Sequence, residues 1–296
     1  MRFRLTVAAA SAPLFARECL ASQSALDPQG PHADHLAQLF WIFMGVCTAV
    51  WIAVMIVLLI ALVRRRAERP DPLQLDAATE RRGATVVGGA VIATLLTIIA
   101  LTALSYLSQR QLFAKEKPSV TIKVTGQQWW WDVRYESDIP DHTVTTANEI
   151  YVPVGEPVTV KLAATDVIHS FWVPSLFGKQ DLIPGQDNEI QFKASRPGVY
   201  RGQCAEFCGW QHAHMGLLVV ALPPPLFQQW MSLQRAPAAP PEDLIRKKGA
   251  EIFAAKACIM CHTVRGTSAG SRVGPDLTHF GSRQSIASAT LPMSRG

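Results

Sequence analysis

The sequence predicts three successive parts: a hairpin of two transmembrane helices, an all-β Greek-key sandwich and a short all-α domain. Two long uncharged runs predict the hairpin. A region of short strands rich in Val, Thr and Ile predicts the sandwich, and a cysteine–histidine motif after a proline-rich stretch marks the last part. The 296 residues are enough for two compact domains beside the hairpin.

The uncharged runs are residues 39–63 and 84–107, and neither contains Asp, Glu, Lys or Arg. At about 1.5 Å of rise per residue, each run can cross the roughly 30 Å apolar core of a bilayer. We therefore predict two transmembrane helices within residues 23–117.

The segment between the two runs is strongly basic. An excess of Lys and Arg near the ends of membrane spans marks the cytoplasmic side. The arginines are Arg64, Arg65, Arg66, Arg69, Arg81 and Arg82. The sequence therefore predicts a multi-pass protein of the bacterial inner (cytoplasmic) membrane, with its later domains in the periplasm. Residues 1–22, which open with two arginines and an apolar run, are typical of a signal peptide.

Residues 118–223 consist of short runs rich in Val, Thr, Ile and aromatic residues, such as "VTIKVTG" and "MGLLVVALP". Gly and Pro separate these runs, as in "PVGEP" and "RPGVY". This pattern is typical of a β-sandwich with Greek-key connections.

One loop of this region, "CAEFCGWQHAHM", is unusually rich in metal-binding residue types. It carries Cys204, Cys208, His212 and Met215. A disulfide between the two cysteines and a zinc site are the simpler interpretations. Thiolate, imidazole and thioether form a soft ligand set, however, which favours copper over magnesium or calcium. A second cysteine allows both thiolates to bridge two copper ions, and His169 in "DVIHSFWVP" is the candidate ligand from outside the loop.

The last part follows a stretch rich in proline and alanine, residues 224–241, which predicts a semi-rigid linker. Residues 242–296 then contain "CIMCH", with Cys258, Cys261 and His262. The CxxCH spacing predicts covalent attachment of a c-type haem through both thiols, with the histidine as the proximal iron ligand.

Three stretches carry a family resemblance: "GQQWWWDVRY", "VIHSFWVPSLFGKQDLIPGQ" and the CxExCGxxHxxM loop. From residue 23 onward the chain resembles subunit II of the haem–copper terminal oxidases, whose cupredoxin-like domain carries a binuclear copper centre called CuA. In that family two cysteines bridge both coppers, two histidines bind one copper each, and a methionine and a backbone carbonyl complete the site. The matching positions are His169, Cys204, Glu206 (carbonyl), Cys208, His212 and Met215.

The resemblance implies roles for three further groups. Trp129 matches the position where electrons enter the copper domain, and the side chain of Glu206 matches a magnesium ligand at the interface with the catalytic subunit. Glu80 lies where relatives have a glutamate that helps proton uptake. Packing of the tryptophan and solvation of Glu80 are the structural alternatives. His214 matches no ligand position, and we interpret it as either solvent-exposed or a residue that supports the ligands from behind.

The last domain resembles the cytochrome c that some relatives carry fused to subunit II. In that family a proline carbonyl, here that of Pro275 in "VGPDL", accepts the N–H of the proximal imidazole. Only 34 residues follow His262, and Met293 is the one methionine among them. We therefore expect a truncated cytochrome c domain. Met293 as the axial ligand and a five-coordinate haem are the alternatives.

The resemblance implies an electron-transfer subunit of a respiratory oxidase, an oxidoreductase within a proton-translocating complex. Electrons would pass from cytochrome c, here the fused haem c, through the copper centre to catalytic subunit I, which reduces oxygen to water. The implied partners are the other oxidase subunits, a cytochrome c or another periplasmic donor, and membrane lipid, without nucleic acid. A membrane-anchored copper-delivery or assembly protein is the alternative function. Nitrous oxide reductase shares the copper centre but needs a large propeller domain that this sequence lacks.

Charge is distributed unevenly along the chain. Residues 118–235 have eight Lys and Arg against eleven Asp and Glu, whereas residues 236–296 have eight against four. The acidic copper domain and the basic haem domain are therefore expected to dock through opposite charge.

Overall fold

The computed structural model describes residues 22–64, 76–112 and 115–294. The predicted signal peptide, apart from its last residue, lies outside these ranges, as do Arg65, Arg66 and Arg69 of the basic loop.

Two long helices come first, α1 over Pro31–Val63 and α2 over Ala77–Leu112. Both are long and apolar enough to cross a membrane, and their apolar side chains are largely exposed in the isolated chain. Polar residues extend α1 at its start and α2 at both ends, beyond the uncharged runs. Nε2 of His32 in α1 lies 2.8 Å from the carbonyl oxygen of Leu112 in α2, which joins the two helices.

Ten strands follow the hairpin and form two five-stranded sheets. The strands are β1 (Val120–Gln127), β2 (Trp130–Tyr135), β3 (Val144–Ala147), β4 (Glu149–Pro153), β5 (Val158–Ala164), β6 (His169–Trp172), β7 (Gln180–Leu182), β8 (Asn188–Phe192), β9 (Gly198–Cys204) and β10 (Gly216–Leu222). One sheet has the order β3-β2-β1-β5-β8 and the other β4-β10-β9-β6-β7. Neighbours run antiparallel except β1–β5 and β4–β10. The predicted helical hairpin followed by a β-sandwich is confirmed.

The sandwich core follows the alternation that a half-buried strand requires. In β1, Ile122 and Val124 are buried, whereas Lys123 between them is exposed. Larger aromatic side chains fill the space between the sheets, and the rings of Trp131 and Phe171 meet edge to face at 5.7 Å between centroids. This packing supports β6, the strand that begins the candidate site.

The stretch predicted as a linker is largely helical. Helix α3 spans Pro224–Arg235, so the linker is confined to the residues between α3 and the next helix. Phe227, Trp230 and Met231 have the spacing of one apolar helix face, and prolines are tolerated in the first turn. Phe227 and Met231 are buried, and Trp230 stacks on Tyr151 of β4 at 4.3 Å. The high proline and alanine content concealed this amphipathic pattern.

The last domain begins with helix α4 over Leu244–Ala255. The side chain of Asp243 caps this helix by accepting a hydrogen bond of 2.7 Å from the backbone N–H of Arg246. Two short strands follow later, β11 (Ser285–Ile286) and β12 (Leu291–Pro292), and form an antiparallel pair. The predicted helical character is present, and the strand pair is an addition that the sequence did not predict.

Candidate metal centre and haem attachment motif

Three strands bring the candidate metal ligands to one end of the sandwich. Strand β9 ends at Cys204 and β10 begins at Gly216, and the N–H of Cys204 donates to the carbonyl of Met215 at 2.9 Å. Strand β6 pairs with β9, with Phe171 opposite Cys204, and starts at His169. The cysteine-rich loop and the distant histidine are therefore neighbours.

The donor atoms converge. The Sγ atoms of Cys204 and Cys208 are 3.8 Å apart. Nδ1 of His169 lies 3.9 Å from the sulfur of Cys204, and Nδ1 of His212 lies 3.6 Å from the sulfur of Cys208. Sδ of Met215 is 3.8 Å from the sulfur of Cys208. His212 is half-buried and the other four side chains are buried.

The two cysteines do not form a disulfide, because their 3.8 Å separation far exceeds the roughly 2.05 Å of an S–S bond. Burial and the neighbouring Cys204 raise the pKa of the Cys208 thiol. Burial opposes ionisation of Cys204 too, but its hydrogen bond with His169 lowers the pKa of that thiol overall. Two thiolates this close repel each other unless a cation lies between them. The pocket therefore fits a soft metal cation.

His169 is oriented by groups that the sequence analysis missed. Its Nε2 lies 2.8 Å from Oδ1 of Asp166, which leaves Nδ1 facing the sulfurs. Burial would lower the pKa of His169, but its hydrogen bonds with Cys204 and Asp166 raise it overall. Gly126 of β1 leaves room for the ring, since a Cβ there would come within 2.8 Å of Cδ2 of His169. A carboxylate three residues before a predicted metal-binding histidine was the signal available in "DVIH".

The middle of the loop is fixed from the turn that joins β1 and β2. The side-chain amide of Gln128 donates to the carbonyl of Cys208 at 2.8 Å, and Nε1 of Trp129 donates to the same oxygen at 3.0 Å. Trp129 therefore contacts the backbone of the cysteine-rich loop. Trp129 was predicted from the sequence, whereas Gln128 was not.

The three consecutive tryptophans have different environments. Trp131 is fully buried in the core, so the packing interpretation holds for it. Trp129 is half-buried on the cysteine-rich loop, and Trp130 lines a cavity of about 230 Å³ that also borders Pro275 and Phe280 of the last domain.

Glu206 presents its backbone and side chain in different directions. Its carbonyl oxygen lies 3.1 Å from the sulfur of Cys204, in the pocket. Its carboxylate is partly exposed and lies 3.6 Å from Nζ of Lys179. Within residues 22–64, 76–112 and 115–294, one group of three or more His, Cys, Asp or Glu side chains lies close enough together to hold a metal ion. It consists of His169, Cys204 and Cys208, so it does not include Glu206. Magnesium binding by Glu206 stays a prediction.

Two other residues from the sequence analysis lie away from the sulfur pair. His214 is exposed, as expected, and its carbonyl accepts a hydrogen bond of 3.0 Å from Oγ1 of Thr290. Glu80 lies in the first turn of α2, where its N–H donates to the carbonyl of Asp76 at 3.0 Å. A role of Glu80 in proton uptake stays a prediction.

The CxxCH motif forms a tight turn with accessible thiols. Cys258 and Cys261 are exposed and unpaired with each other. Nδ1 of His262 lies 2.8 Å from the carbonyl oxygen of Pro275, which leaves Nε2 as the nitrogen available to iron. Gly274 makes this contact possible, because a Cβ there would come within 2.7 Å of the His262 ring. Met293 follows β12, and its N–H donates to the carbonyl of Gln284 at 2.9 Å.

Comparison with protein families gives two matches. Residues 137–222 match the family described as the cytochrome c oxidase subunit II, periplasmic domain, and residues 246–295 match the cytochrome c family. The first match contains the sulfur pair and both histidines beside it, and the second contains the CxxCH motif.

Similar proteins described as cytochrome c oxidase subunit 2 match this chain over much of its length. The cytochrome c oxidase subunit 2 of Alkalihalophilus pseudofirmus is 35% identical over 283 residues, which are 93% of this chain and 80% of that protein. Those of Bacillus sp. strain PS3 and Bacillus subtilis are 36% and 33% identical, over 66% and 58% of this chain. The chain spans 56% and 50% of the lengths of these two relatives.

A solved structure is similar to part of the chain. The crystal structure of the periplasmic domain of cytochrome oxidase subunit II from Bradyrhizobium japonicum is 32% identical. It covers 40% of this chain and 96% of its own, with a TM-score of 0.38.

Proposed function

Because this chain belongs to the cytochrome c oxidase subunit II family, we propose that it passes electrons from a haem c on its own last domain, through a binuclear copper centre, to the catalytic subunit. Family membership gives the chain an electron-transfer role in an oxidoreductase complex with other oxidase subunits. It implies a copper centre in the β domain, a haem in the last domain, and a membrane protein with periplasmic domains. The route of the electrons and the ligands are the proposal.

The buried sulfur pair is the observation that carries it. Two sulfurs 3.8 Å apart, each facing an imidazole nitrogen, match the donors that two thiolate-bridged coppers need. In this proposal Cys204 and Cys208 would bridge the two coppers, and His169 and His212 would each bind one. The loop is too rich in sulfur for a magnesium or calcium site.

The two remaining candidate ligands each lie beside a different sulfur of the pair. Sδ of Met215 lies 3.8 Å from the sulfur of Cys208, and the carbonyl oxygen of Glu206 lies 3.1 Å from the sulfur of Cys204. We assign one of these weaker ligands to each copper. Thioether and carbonyl donors bind more weakly than thiolate, so they adjust the reduction potential more than they hold the metal.

A thiolate-bridged copper pair supplies one-electron redox chemistry with little change in geometry. The protein keeps its donors still between the two redox states. Asp166 fixes the His169 ring, and Gln128 and Trp129 fix the backbone at Cys208. The buried ring of Trp131 meets the His169 ring edge to face, at 6.1 Å between centroids, and so helps to hold it in place.

The haem domain is proposed to bind its cofactor covalently. Cys258 and Cys261 would each form one thioether bond, for which their exposure leaves them accessible. His262 would bind iron through Nε2, because Pro275 engages the other ring nitrogen. Met293 remains the candidate for the opposite face of the haem.

Contacts with the oxidase complete the proposal. The two apolar helices would both span the bacterial inner membrane and contact catalytic subunit I and lipid. The carboxylate of Glu206, which points out of the copper pocket, would bind magnesium at the interface with that subunit. Trp129 would receive electrons, and a soluble cytochrome c or another periplasmic donor would reduce the haem.

Serine substitution of the bridging cysteines tests the proposal. In the oxidase complex that contains this chain with copper and haem, Cys204→Ser and Cys208→Ser should each abolish the mixed-valence electron spin resonance signal and most oxidase turnover. Cys47→Ser, on the exposed surface of α1, is the matched control and should leave both unchanged. A mixed-valence signal that survives in either loop variant would exclude thiolate bridging.

A chelator experiment separates this function from copper delivery. A delivery protein must release its metal, whereas a closed electron-transfer site should retain it. The purified chain should keep two copper ions per haem after dialysis against a chelator of moderate strength. Rapid loss of copper to the chelator would favour the delivery function.

A further inference from the structure

Part of the haem domain lies against the β domain at the rim of the candidate copper site. We call residues 284–290, "QSIASAT", the docking segment. The hydroxyl of Ser288 donates to the carbonyl of Trp129 at 2.8 Å, and the N–H of Gly216 donates to the carbonyl of Ser288 at 3.0 Å. Gly216 directly follows Met215, so the segment touches the end of the cysteine-rich loop.

Further contacts extend along the same rim. Oγ1 of Thr290 donates to the carbonyl of His214 at 3.0 Å, and a guanidinium N–H of Arg201 in β9 donates to the carbonyl of Ala289. The side chains of Ser288 and Ala289 are buried. The docking segment therefore packs against both strands that hold the loop.

A single carboxylate anchors the start of the segment. Glu149, the first residue of β4, is 1% exposed. Its Oε1 accepts hydrogen bonds from the backbone N–H groups of Gln284 and Ser285, both at 2.8 Å, and from the hydroxyl of Ser285 at 2.9 Å. The hydroxyl of Tyr151 lies 3.3 Å from Oε2.

Because Glu149 is buried, it depends on its hydrogen-bond partners. An ionised carboxylate removed from water is costly unless hydrogen bonds and charge compensate it. The three donors to Oε1 all come from the haem domain, and the half-buried guanidinium of Arg283 in the same domain attracts Glu149. A separated haem domain would leave Glu149 without these partners. Its hydrogen bonds therefore stabilise the docked arrangement specifically.

Opposite surface charge does not make these contacts. Among the residues that the structure describes, no ion pair within 4.0 Å joins the haem domain to the β domain. Long-range attraction can guide the approach of the domains, but hydrogen bonds hold the contact. Ala287, Ser288 and Ala289 have positive φ angles of 49°, 51° and 57°, a conformation that persists only where surrounding contacts impose it.

We propose that Glu149 is a positioning residue that fixes the docking segment on the copper loop and so sets the geometry for electron transfer between haem and copper. The inference rests on the proposed function. The docking of the segment and its effect on electron transfer can be tested separately, because the docking can be measured without following electron transfer.

Hydrogen exchange tests the docking. In the full chain loaded with haem and copper, the amides of Gln284 and Ser285 should exchange slowly. In Glu149→Gln they should exchange roughly ten-fold faster or more, because a charge-assisted acceptor is lost. Glu156→Gln removes the same charge from the turn after β4 and is the matched control. Equal exchange in Glu149→Gln and the wild type would overturn the proposal.

A second variant tests the docking in case Glu149→Gln does not fold. Ser285→Ala removes one donor and leaves the β-domain sequence intact. It should accelerate exchange of the same two amides by a smaller factor. Rapid exchange of these amides in the wild-type protein would overturn the docking even if the glutamate variant cannot be purified.

Electron transfer tests the consequence. After photoreduction of the haem, the rate of copper reduction should be nearly independent of salt in the wild type. In Glu149→Gln the rate should fall several-fold and become salt-dependent, because only screened long-range charge then brings the domains together. The copper and haem spectra should stay unchanged. A rate in Glu149→Gln equal to that of the wild type would overturn the positioning role.

The rate of haem-to-copper electron transfer in the wild type tests the proposed function separately. If the wild type shows no haem-to-copper transfer while its two amides remain protected by Glu149, the electron route is wrong and the docking stands.

Discussion

Asp166 and His169 form a hydrogen bond of 2.8 Å that determines which imidazole nitrogen faces the sulfur pair. Because Nε2 is engaged, Nδ1 is directed toward Cys204 at 3.9 Å. The carboxylate is fixed in turn by the N–H groups of Gln128 and Val167, at 2.6 and 2.7 Å. The imidazole is therefore held by a network that reaches the turn between β1 and β2.

Asp166→Asn should weaken copper binding while leaving the β domain folded. Loss of a carboxylate partner of a metal-binding histidine typically lowers metal affinity about 10- to 100-fold. Copper content after competition with a chelator would measure this loss. Asp138→Asn, at an exposed position of the same domain, is the control. Equal copper retention in Asp166→Asn and the wild type would show that the hydrogen bond does not matter for the site.

Gly126→Ala should displace the His169 ring. The added Cβ would lie 2.8 Å from Cδ2 and 3.0 Å from Cγ of the ring, which is closer than van der Waals contact permits. Overpacking of this kind costs about 1–3 kcal/mol of stability. Thermal unfolding would measure that cost, and copper spectra should show a distorted site.

Gly249→Ala in α4 is the control for this glycine, because no atom lies within 4 Å of its added Cβ. That variant should be neutral or slightly stabilising. A normal copper spectrum in Gly126→Ala would mean that the ring moves without consequence for the ligand.

Much of the fold follows from local patterns in the sequence. The uncharged runs gave the two helices, and the Gly- and Pro-punctuated strands gave the sandwich. Helix α3 was missed because proline suggested a linker, whereas Phe227 and Met231 pack on the sheet and outweigh that composition. Tertiary burial of this kind is decided by the partner surface, which a local pattern does not contain.

The residues of the candidate site within one loop were predictable from the sequence, but their support from other strands was not. The spacing of Cys204, Cys208, His212 and Met215 within one loop indicated the candidate donors because they are close in sequence. The support from Gly126 comes from another strand, and only the three-dimensional register of the sheets brings it under the ligand. Hydrogen bonds to backbone atoms carry no residue signature at the acceptor. The docking of the haem domain was therefore expected from charge and found in hydrogen bonds.

Trp129→Phe should slow electron transfer into the copper centre without removing copper. The variant loses the indole N–H that donates to the carbonyl of Cys208 at 3.0 Å but keeps an aromatic ring. In stopped-flow experiments, reduction of the copper centre by a soluble cytochrome c should become several-fold slower. Trp210→Phe in the same loop is the control, because that indole is 95% exposed and should not matter. Equal slowing in both variants would assign the effect to the loop surface instead.

Asp132→Asn should stabilise the protein at neutral pH. Asp132 borders a cavity of about 290 Å³ between the β domain and the haem domain, together with Arg134 and Arg272. Burial raises the pKa of Asp132 despite the attraction of both arginines. Ionisation therefore costs the folded state more than the unfolded state, in which an aspartate ionises near pH 4.

The pH dependence of this variant follows from that sign. Below the unfolded pKa both states are protonated, so the variant and the wild type should unfold at similar temperatures. As pH rises through the unfolded and then the folded pKa, the wild type should lose stability relative to Asp132→Asn. Thermal unfolding followed by tryptophan fluorescence between pH 3 and pH 7, roughly from below to above the usual pKa of aspartate, would measure the difference. Asp187→Asn, at an exposed position, should show no such trend. A variant less stable than the wild type at pH 7 would mean that attraction to the arginines outweighs the cost of burial.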